Sequence, residues 1–315
     1  MFDIILHIFP YAIAFTIPLL VTSLGGLYSE RSGVVNIGLE GLMIVGSFAS
    51  AAATAGLYPV MGPSAVWVGL VAAIVAGAVF SLLHAFASIN LNANQVISGT
   101  AINMIAGALT VFIARTLTGS GNIQIKEGVP RVDIPGLSDI PVIGPLLFQK
   151  TYATTWIVLA LWGLLWFVLY KTPFGLRLRA CGEHPHAADS AGVNVQAVRY
   201  VAVVISGALG GLGGACILLT YSGEFNGQVA GLGFLALAAL IFGQWKPLGI
   251  LGACFFFGFA ATLANASQAE PALKVVPDVV LKVFPYAVTL LALVLLSKKS
   301  QAPRASGEPF EAGKR

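Results

Sequence analysis

Charged and amide side chains inside long apolar stretches are the first candidates for chemistry in this sequence. Glu40 follows Asn36 by four residues in the stretch NIGLEG, so the two would share one face of a helix. Ionisable residues within membrane-length segments are costly and mark functional positions. Two roles for Glu40 stay open: a direct role in a path through the membrane, or a structural pairing with Arg31 or a neighbouring broken helix.

A second group of polar residues consists mainly of amides. Asn94, Gln95 and Asn103 lie in the stretch NLNANQVISGTAIN, after His84, which we expect to be packed or bonded between helices. Amides both donate and accept hydrogen bonds, which suits nucleobase edges and ribose hydroxyls. The same property suits helix capping at a turn, so both interpretations stay open.

A third polar pair stands in the glycine-rich stretch SGEFNGQVAGLGF, where Glu224 and Asn226 follow an apolar segment. These two residues would line the entrance of a substrate path or contact a binding protein. The alternative is a plain loop.

Motifs for enzymatic chemistry are absent from the sequence. It contains no G-x-x-x-x-G-K-[ST] loop for ATP phosphates, no G-x-S-x-G and no H-E-x-x-H. His184 and His186 lack the further ligands that a zinc site needs. We therefore predict no enzyme, no catalytic residue, no metal and no cofactor of the chain's own.

The composition indicates an integral membrane protein. Hydrophobic residues make up 57% of the chain, charged residues 10%, and the mean hydropathy is +0.87. The net charge of +4 comes from loops and the tail, where membrane proteins keep cytoplasmic positive charge, so lipid and not nucleic acid is the expected partner.

Apolar segments separated by turns predict the membrane spans. Glycine-rich interruptions at 30–41 and 222–234 indicate broken or re-entrant helices. We predict an all-α polytopic membrane protein with about eight to ten transmembrane helices. The candidate spans are 4–28, 41–57, 66–89, 95–114, 153–170, 200–222, 232–245, 248–267 and 283–297.

Lysine and arginine set the predicted orientation. The loop 171–199 and the tail 298–315 are both basic, and the alternation of the spans across the membrane puts them on the same side. Because basic residues are enriched on the cytoplasmic side, we expect that side to be the cytoplasm. The loop 115–150 then lies outside, and its Pro and Gly residues predict a compact cap with turns. Residues 1–297 form a single transmembrane domain in this interpretation, followed by the tail 298–315.

The stretch ACGEHPHAADSAG, residues 180–192, predicts a two-turn helix between spans. Pro185 suits the first helical position and Gly192 the residue just beyond the end. Ala187, Ala188 and Ala191 would form a small-residue face that fits a groove on a partner. The residues alone leave open an ordinary loop. Further along, SGALGGLGGACILL, residues 206–219, predicts closely packed helices.

Three quoted stretches carry a family resemblance. TPFGLRLRACGEHPHAADSAGVNVQAVRYVAVVISGALGGLGG, residues 172–214, resembles the cytoplasmic loop of permease subunits in bacterial ABC importers for branched-chain amino acids, ribose and nucleosides. The resemblance implies a coupling helix that docks on an ATPase subunit. ERSGVVNIGLEGLMIVGSF and GLGFLALAALIFGQWKPLGILGA resemble the nucleoside and simple-sugar branch. The implied coupling residues are Gly182, Glu183, Pro185, Ala187, Ala188, Ala191 and Gly192.

The resemblance implies a permease subunit that imports nucleosides or simple sugars across the bacterial cytoplasmic (inner) membrane. It further implies a separate ABC ATPase that binds the ATP, a heterodimer with a second permease subunit and an extracytoplasmic substrate-binding protein. The alternatives are a branched-chain amino acid permease and a secondary transporter without an ATPase. The candidate substrate-path residues are Asn36, Glu40, Asn94, Gln95, Asn103, Glu224 and Asn226.

Overall fold

The computed structural model describes residues 2–269, 279–280, 283–284, 287 and 301–311, with the side chains of 2–7 and 267–269 left out. Helices dominate the described part, which confirms the all-α class. Of the predicted last span, 283–297, only 283, 284 and 287 are described. The α-helices are α1 (Phe2–Arg31), α2 (Leu39–Met61), α3 (Ala65–Ala85), α4 (Gln95–Thr118), α5 (Ala153–Lys171), α6 (Pro173–Glu183), α7 (Pro185–Ser190), α8 (Val195–Ile217), α9 (Leu232–Phe242) and α10 (Pro247–Ala269).

Within the described residues, six apolar helical stretches are long enough to cross a membrane. One of them, Leu39–Asn90, contains both α2 and α3, joined by the 3₁₀ turn Gly62–Ser64. Helix α9 is different, because its 11 residues reach only roughly 16 Å. The prediction of a full span at 232–245 is therefore wrong, while the prediction of broken helices is confirmed.

Helix α8 lies at the centre of the bundle, between α1, α2 and α3. Its glycines allow this position, because a Cβ on Gly211 would overlap the carbonyl oxygen of Ala73 in α3. A Cβ on Gly214 would overlap the carbonyl oxygen of Met43 in α2. The stretch 206–219 thus brings backbones into direct contact, as its small residues predict.

The bundle has two opposite faces, joined by α1. Near the start of α1, the guanidinium of Arg131 lies 4.3 Å from the ring centroid of Tyr11. Twenty residues later, Arg31 lies 3.8 Å from the carboxylate of Glu183. A helix of that length covers about 30 Å, which matches the hydrocarbon core of a bilayer. We name the end at Tyr11 and Arg131 the β-strand face, and the end at Arg31 and Glu183 the α7 face.

Short strands build the β-strand face. Strand β1 (Ile123–Gln124) pairs antiparallel with β4 (Glu224–Phe225), and β2 (Arg131–Val132) pairs with β3 (Thr151–Tyr152). Turns and the π-helical segment Gly144–Phe148 fill the rest of the 119–152 region. The turns predicted for this loop are present from residue 119 onward, and strand β1 places the loop beside the Glu224 segment.

Candidate functional site

Segment 32–38, between α1 and α2, is non-helical and lies inside the bundle. Gly33 has a φ of +96°, which breaks the helix after Arg31, and α2 begins only at Leu39. Asn36 therefore lies before the helix that contains Glu40, and the prediction that the two share a helical face is wrong. Side chains from α3, α4 and α8 contact this segment and stabilise it.

Amide and imidazole side chains satisfy the buried backbone of segment 32–38. Gln95 accepts a hydrogen bond from the Val35 backbone N–H (2.6 Å), and a ring nitrogen of His84 lies 3.0 Å from the Val35 carbonyl oxygen. Asn103 accepts from the Gly41 N–H (2.7 Å) and donates to the Ile37 carbonyl (3.0 Å). These contacts replace the water that non-helical backbone would otherwise need at membrane depth.

Two other asparagines also form hydrogen bonds that stabilise the fold. Asn36 is fully buried and donates to Ser206 on α8 (2.9 Å), while its carbonyl accepts from the Gly38 N–H. Asn94 is the N-cap of α4 and accepts from two backbone N–H groups of the first turn. The observed contacts of Asn36, Asn94, Gln95 and Asn103 are capping and packing contacts, and His84 is bonded between helices as expected.

Glu40 binds the N-terminus of α9. Its two carboxylate oxygens accept from the backbone N–H groups of Gly231 (2.9 Å) and Gly233 (2.6 Å). Gly231 begins this helix with a φ of +77° and offers no side chain to cap it. A carboxylate at this position satisfies otherwise unpaired N–H groups and matches the positive end of the helix dipole. Of the two predicted pairings, the structure shows the one with the neighbouring broken helix.

An open cavity of about 600 Å³ lies at the β-strand face, directly above the start of α9. Three aromatic side chains form one part of its wall: Phe15 on α1, Phe257 on α10 and Tyr221 in the π-helical segment Leu218–Ser222 that follows α8. The rings of Phe15 and Tyr221 pack edge to face, with 5.7 Å between their centroids. Asn265 on α10 donates to the Tyr221 hydroxyl (3.1 Å). The cavity therefore offers ring surfaces beside amide groups. Its other polar lining residues are Ser47, Ser222, Glu224, Asn226 and Gln228.

The predicted pair Glu224 and Asn226 thus lies at the rim of this cavity. Glu224 accepts a hydrogen bond from the Asn122 side chain (2.7 Å), and Asn226 is exposed and accepts from the Gln228 N–H. The remaining candidate path residues do not line it. The sequence did not single out Phe15, Tyr221 and Asn265 as candidates. Aromatic residues are common in any apolar segment, and Asn265 is a single asparagine without the clustering that marked the other asparagines.

On the α7 face, the short helix predicted at 185–191 is confirmed as α7, Pro185–Ser190. Pro185 occupies the first turn, Ala191 is the C-cap, and Gly192 follows with a φ of +82°. Ala187 and Ala191 are exposed, whereas Ala188 is only 5% exposed and contacts the bundle. Ala188 therefore does not share the exposed face, and the predicted three-alanine face is wrong in that respect.

The remaining residues of the 180–192 pattern fix this region to the end of α1. Gly182 is buried so closely that a Cβ would overlap the carbonyl oxygen of Arg31. Glu183 pairs with the Arg31 guanidinium. Helix α7 is thus presented at one face of the bundle with His186, Ala187, Asp189 and Ser190 exposed.

The six apolar helical stretches of the described residues define a multi-pass membrane protein, whose bundle has a central glycine-rich helix, broken helices and an open cavity at one face. Residues 8–293 match the family described as "Branched-chain amino acid transport system / permease component", and the chain belongs to this family. It is therefore a transport component and not an enzyme. The alternative of a self-sufficient secondary transporter is set aside by this membership.

Individual relatives resemble almost the whole chain. It is 47% identical over 310 residues to the guanosine ABC transporter permease protein NupQ of Bacillus subtilis, covering 98% of this chain and 97% of that one. It is 42% identical over 297 residues to the nucleoside ABC transporter permease protein NupC of Lactococcus lactis, covering 93% of each. A second Bacillus permease, the guanosine ABC transporter permease protein NupP, is 26% identical over 288 residues, 84% of this chain and 76% of that one.

Proposed function

We propose that the chain is the permease subunit of an ATP-binding-cassette importer for nucleosides. The cavity at the β-strand face is the observation on this chain that carries the proposal. Its volume of about 600 Å³ lies within the usual range of small-molecule sites, roughly 300–1,000 Å³. Ring surfaces at Phe15 and Tyr221 suit a purine base, and the amides of Asn226, Gln228 and Asn265 suit its edge or the ribose.

The named substrates of the two relatives that match nearly end to end, guanosine and nucleosides, agree with this chemistry. Simple sugars lack the planar base that the aromatic wall would contact, so they rank second. In this proposal Glu224 and Asn226 line the outer entrance of the path. Glu40, Asn36, Gln95 and Asn103 act further along it by positioning α9 and segment 32–38.

Helix α7 is the proposed coupling helix for the ATPase subunit. Its exposed residues include Ala187 and Ala191, whose small side chains let a helix enter a groove closely, and Asp189 adds a charge at the rim. Gly182 and Glu183 connect this helix to the end of α1, so movement of α7 would reach the bundle directly. ATP binding then shifts the population between outward-open and inward-open states.

The proposed assembly contains two unlike permeases, ABC ATPase subunits and an extracytoplasmic substrate-binding protein. Support for a second permease comes from the similarity of this chain to two guanosine permease proteins of one organism, NupQ and NupP. In this assembly residues 1–297 form the permease domain, the loop 115–150 faces outward, and the loop 171–199 and the tail 298–315 face the cytoplasm.

Uptake of labelled guanosine tests the proposal in cells that lack their own copy of this protein. Unlabelled inosine, ribose and leucine serve as competitors. The native chain should restore uptake, and inosine alone should compete strongly. Competition by ribose or leucine in place of inosine would refute the nucleoside assignment.

A matched pair of variants tests the coupling helix in the same cells. Ala187→Trp places a bulky side chain on the exposed face of α7 and should abolish uptake with membrane insertion unchanged. Ala197→Trp, at an exposed alanine in the first turn of α8, should retain uptake. Normal uptake with Ala187→Trp would refute docking through α7. Ala188→Trp is unsuitable for this purpose, because Ala188 is buried within the subunit.

A further inference from the structure

The described tail, residues 301–311, folds back over the α7 face. Its backbone joins two parts of the bundle: the Ala305 N–H donates to the Gly182 carbonyl (2.9 Å), and the Gly307 N–H donates to the Gly33 carbonyl (3.0 Å). Ala305 is only 4% exposed. The tail therefore bridges the region that presents α7 and the start of segment 32–38.

The end of this tail packs beneath α7. Phe310 is 5% exposed and forms one buried apolar cluster with Cys181, Ala188 and Val195. Its ring also lies 5.2 Å from the His186 ring, centroid to centroid. Helix α7 has only six residues, and a helix this short needs tertiary support to persist. Phe310 supplies part of that support from outside residues 171–199.

Arg199 links the tail to segment 32–38. The side chain is 1% exposed, and its Nε donates to the Ser32 carbonyl (3.1 Å) while Nη1 donates to the Glu308 carbonyl (3.1 Å). Gly33 leaves room for it, because a Cβ there would lie 2.7 Å from Nη2. A buried arginine that bonds both elements ties their positions together, since moving either one breaks a charge-assisted hydrogen bond.

We propose that residues 301–311 act as a strap that fixes α7 on the bundle and ties it to segment 32–38. The strap is then a required part of the ATPase docking platform, and it carries the movement of α7 toward the residues that surround Glu40. The docking part rests on the proposed function, whereas the position of the strap does not.

Cys181 reports on the strap without any ATPase. This thiol is fully buried in the Phe310 cluster, and burial raises its pKa, which keeps it protonated and slow to react. The test is maleimide labelling at pH 7.5 of the purified chain, with the labelled site identified by mass spectrometry. The variants are a chain ending at residue 300 and Phe310→Ala. The controls are a chain ending at residue 311, which keeps the strap, and Phe310→Leu, which keeps an apolar side chain.

Loss of the strap should speed Cys181 labelling by on the order of 10-fold or more, from exposure and from a lower thiol pKa. The two controls should label as slowly as the native chain. Cys181 labelling at the native rate in both strap-loss variants would overturn the proposed strap. If the chain ending at residue 300 does not fold, labelling of Phe310→Ala at the native rate is enough to overturn it.

Guanosine uptake and co-purification of the ATPase subunit then test the coupling role in the same variants. Phe310→Ala should lower both uptake and ATPase co-purification, and Phe310→Leu should retain both at the level of the native chain. Faster labelling with unchanged ATPase binding and uptake would overturn the coupling role. If the native chain transports no guanosine, the nucleoside assignment fails, while labelling and ATPase co-purification still decide the role of the strap.

Discussion

Replacing Glu40 with Gln tests the contact between α2 and the broken helix α9. The carboxylate accepts from two backbone N–H groups, those of Gly231 and Gly233, at 2.9 Å and 2.6 Å. Gln has nearly the same shape, but one of its two terminal groups is an NH₂ donor. One of the two N–H groups therefore loses its acceptor, and the negative charge at the helix N-terminus is lost as well.

The magnitude follows from these two losses. A hydrogen bond to a charged group contributes about 1.5–3 kcal/mol, and a charge at a helix terminus about 0.3–1 kcal/mol. Together they lower the free energy of opening the first turn of α9 by about 2–4 kcal/mol. At 1.4 kcal/mol per factor of ten, amide exchange there should accelerate by about 30- to 700-fold.

Hydrogen–deuterium exchange of the purified protein measures this effect at residues 231–236. Glu224→Gln is the matched control, since that carboxylate bonds an exposed Asn122 side chain and not α9. The control should leave exchange at 231–236 within about 3-fold of native, because exposed contacts of this kind contribute little. Unchanged exchange in Glu40→Gln would refute the capping role. Reduced guanosine uptake without faster exchange would assign Glu40 directly to the substrate path.

Three further substitutions test the packing around the site. Gly211→Ala should destabilise the bundle by about 1–3 kcal/mol, because the added methyl group overpacks against α3; this should lower the thermal midpoint in detergent. Gly107→Ala is the control and should leave the midpoint unchanged, because Gly107 has open space around it. Asn103→Leu should lower guanosine uptake and raise amide exchange over residues 32–41, because the Gly41 N–H loses its acceptor and the Ile37 carbonyl loses its donor. Unchanged exchange over these residues would contradict this. Trp245→Phe removes the hydrogen bond that the indole N–H donates to the Glu30 carboxylate (2.5 Å). The loss should destabilise the protein by about 1–3 kcal/mol and lower its thermal midpoint, because the buried carboxylate loses a donor. An unaltered thermal midpoint would show that the contact is dispensable.

The sequence predicts the structure correctly where a local rule decides it. Hydropathy located the long helices, because crossing about 30 Å of hydrocarbon requires a run of apolar residues whatever the neighbours are. Pro185 and Gly192 delimited α7 by their own backbone preferences. The glycines of 206–219 indicated close helix contact, and only their lack of a side chain permits it.

The sequence does not predict the structure where contacts between residues distant in the chain decide it. Hydropathy at 232–245 predicts a span, yet α9 begins at a left-handed glycine and ends before Gln244 and Trp245, which both have positive φ. Apolar composition is the same for a half-helix and for part of a full one. Likewise, the four-residue spacing of Asn36 and Glu40 indicates one helix, but α2 begins only at Leu39, so Asn36 lies in the non-helical segment before the helix that contains Glu40.

By itself, the sequence therefore determined a multi-pass helical protein with broken segments and a short helix between spans, and its motifs indicated the permease family. Only the tertiary structure decided that Glu40 caps α9, that Ala188 faces inward and that the tail covers α7. Each of these contacts joins residues far apart in the chain or depends on which side of a helix meets the bundle. Composition and spacing record neither, because both are set by how the helices pack against one another.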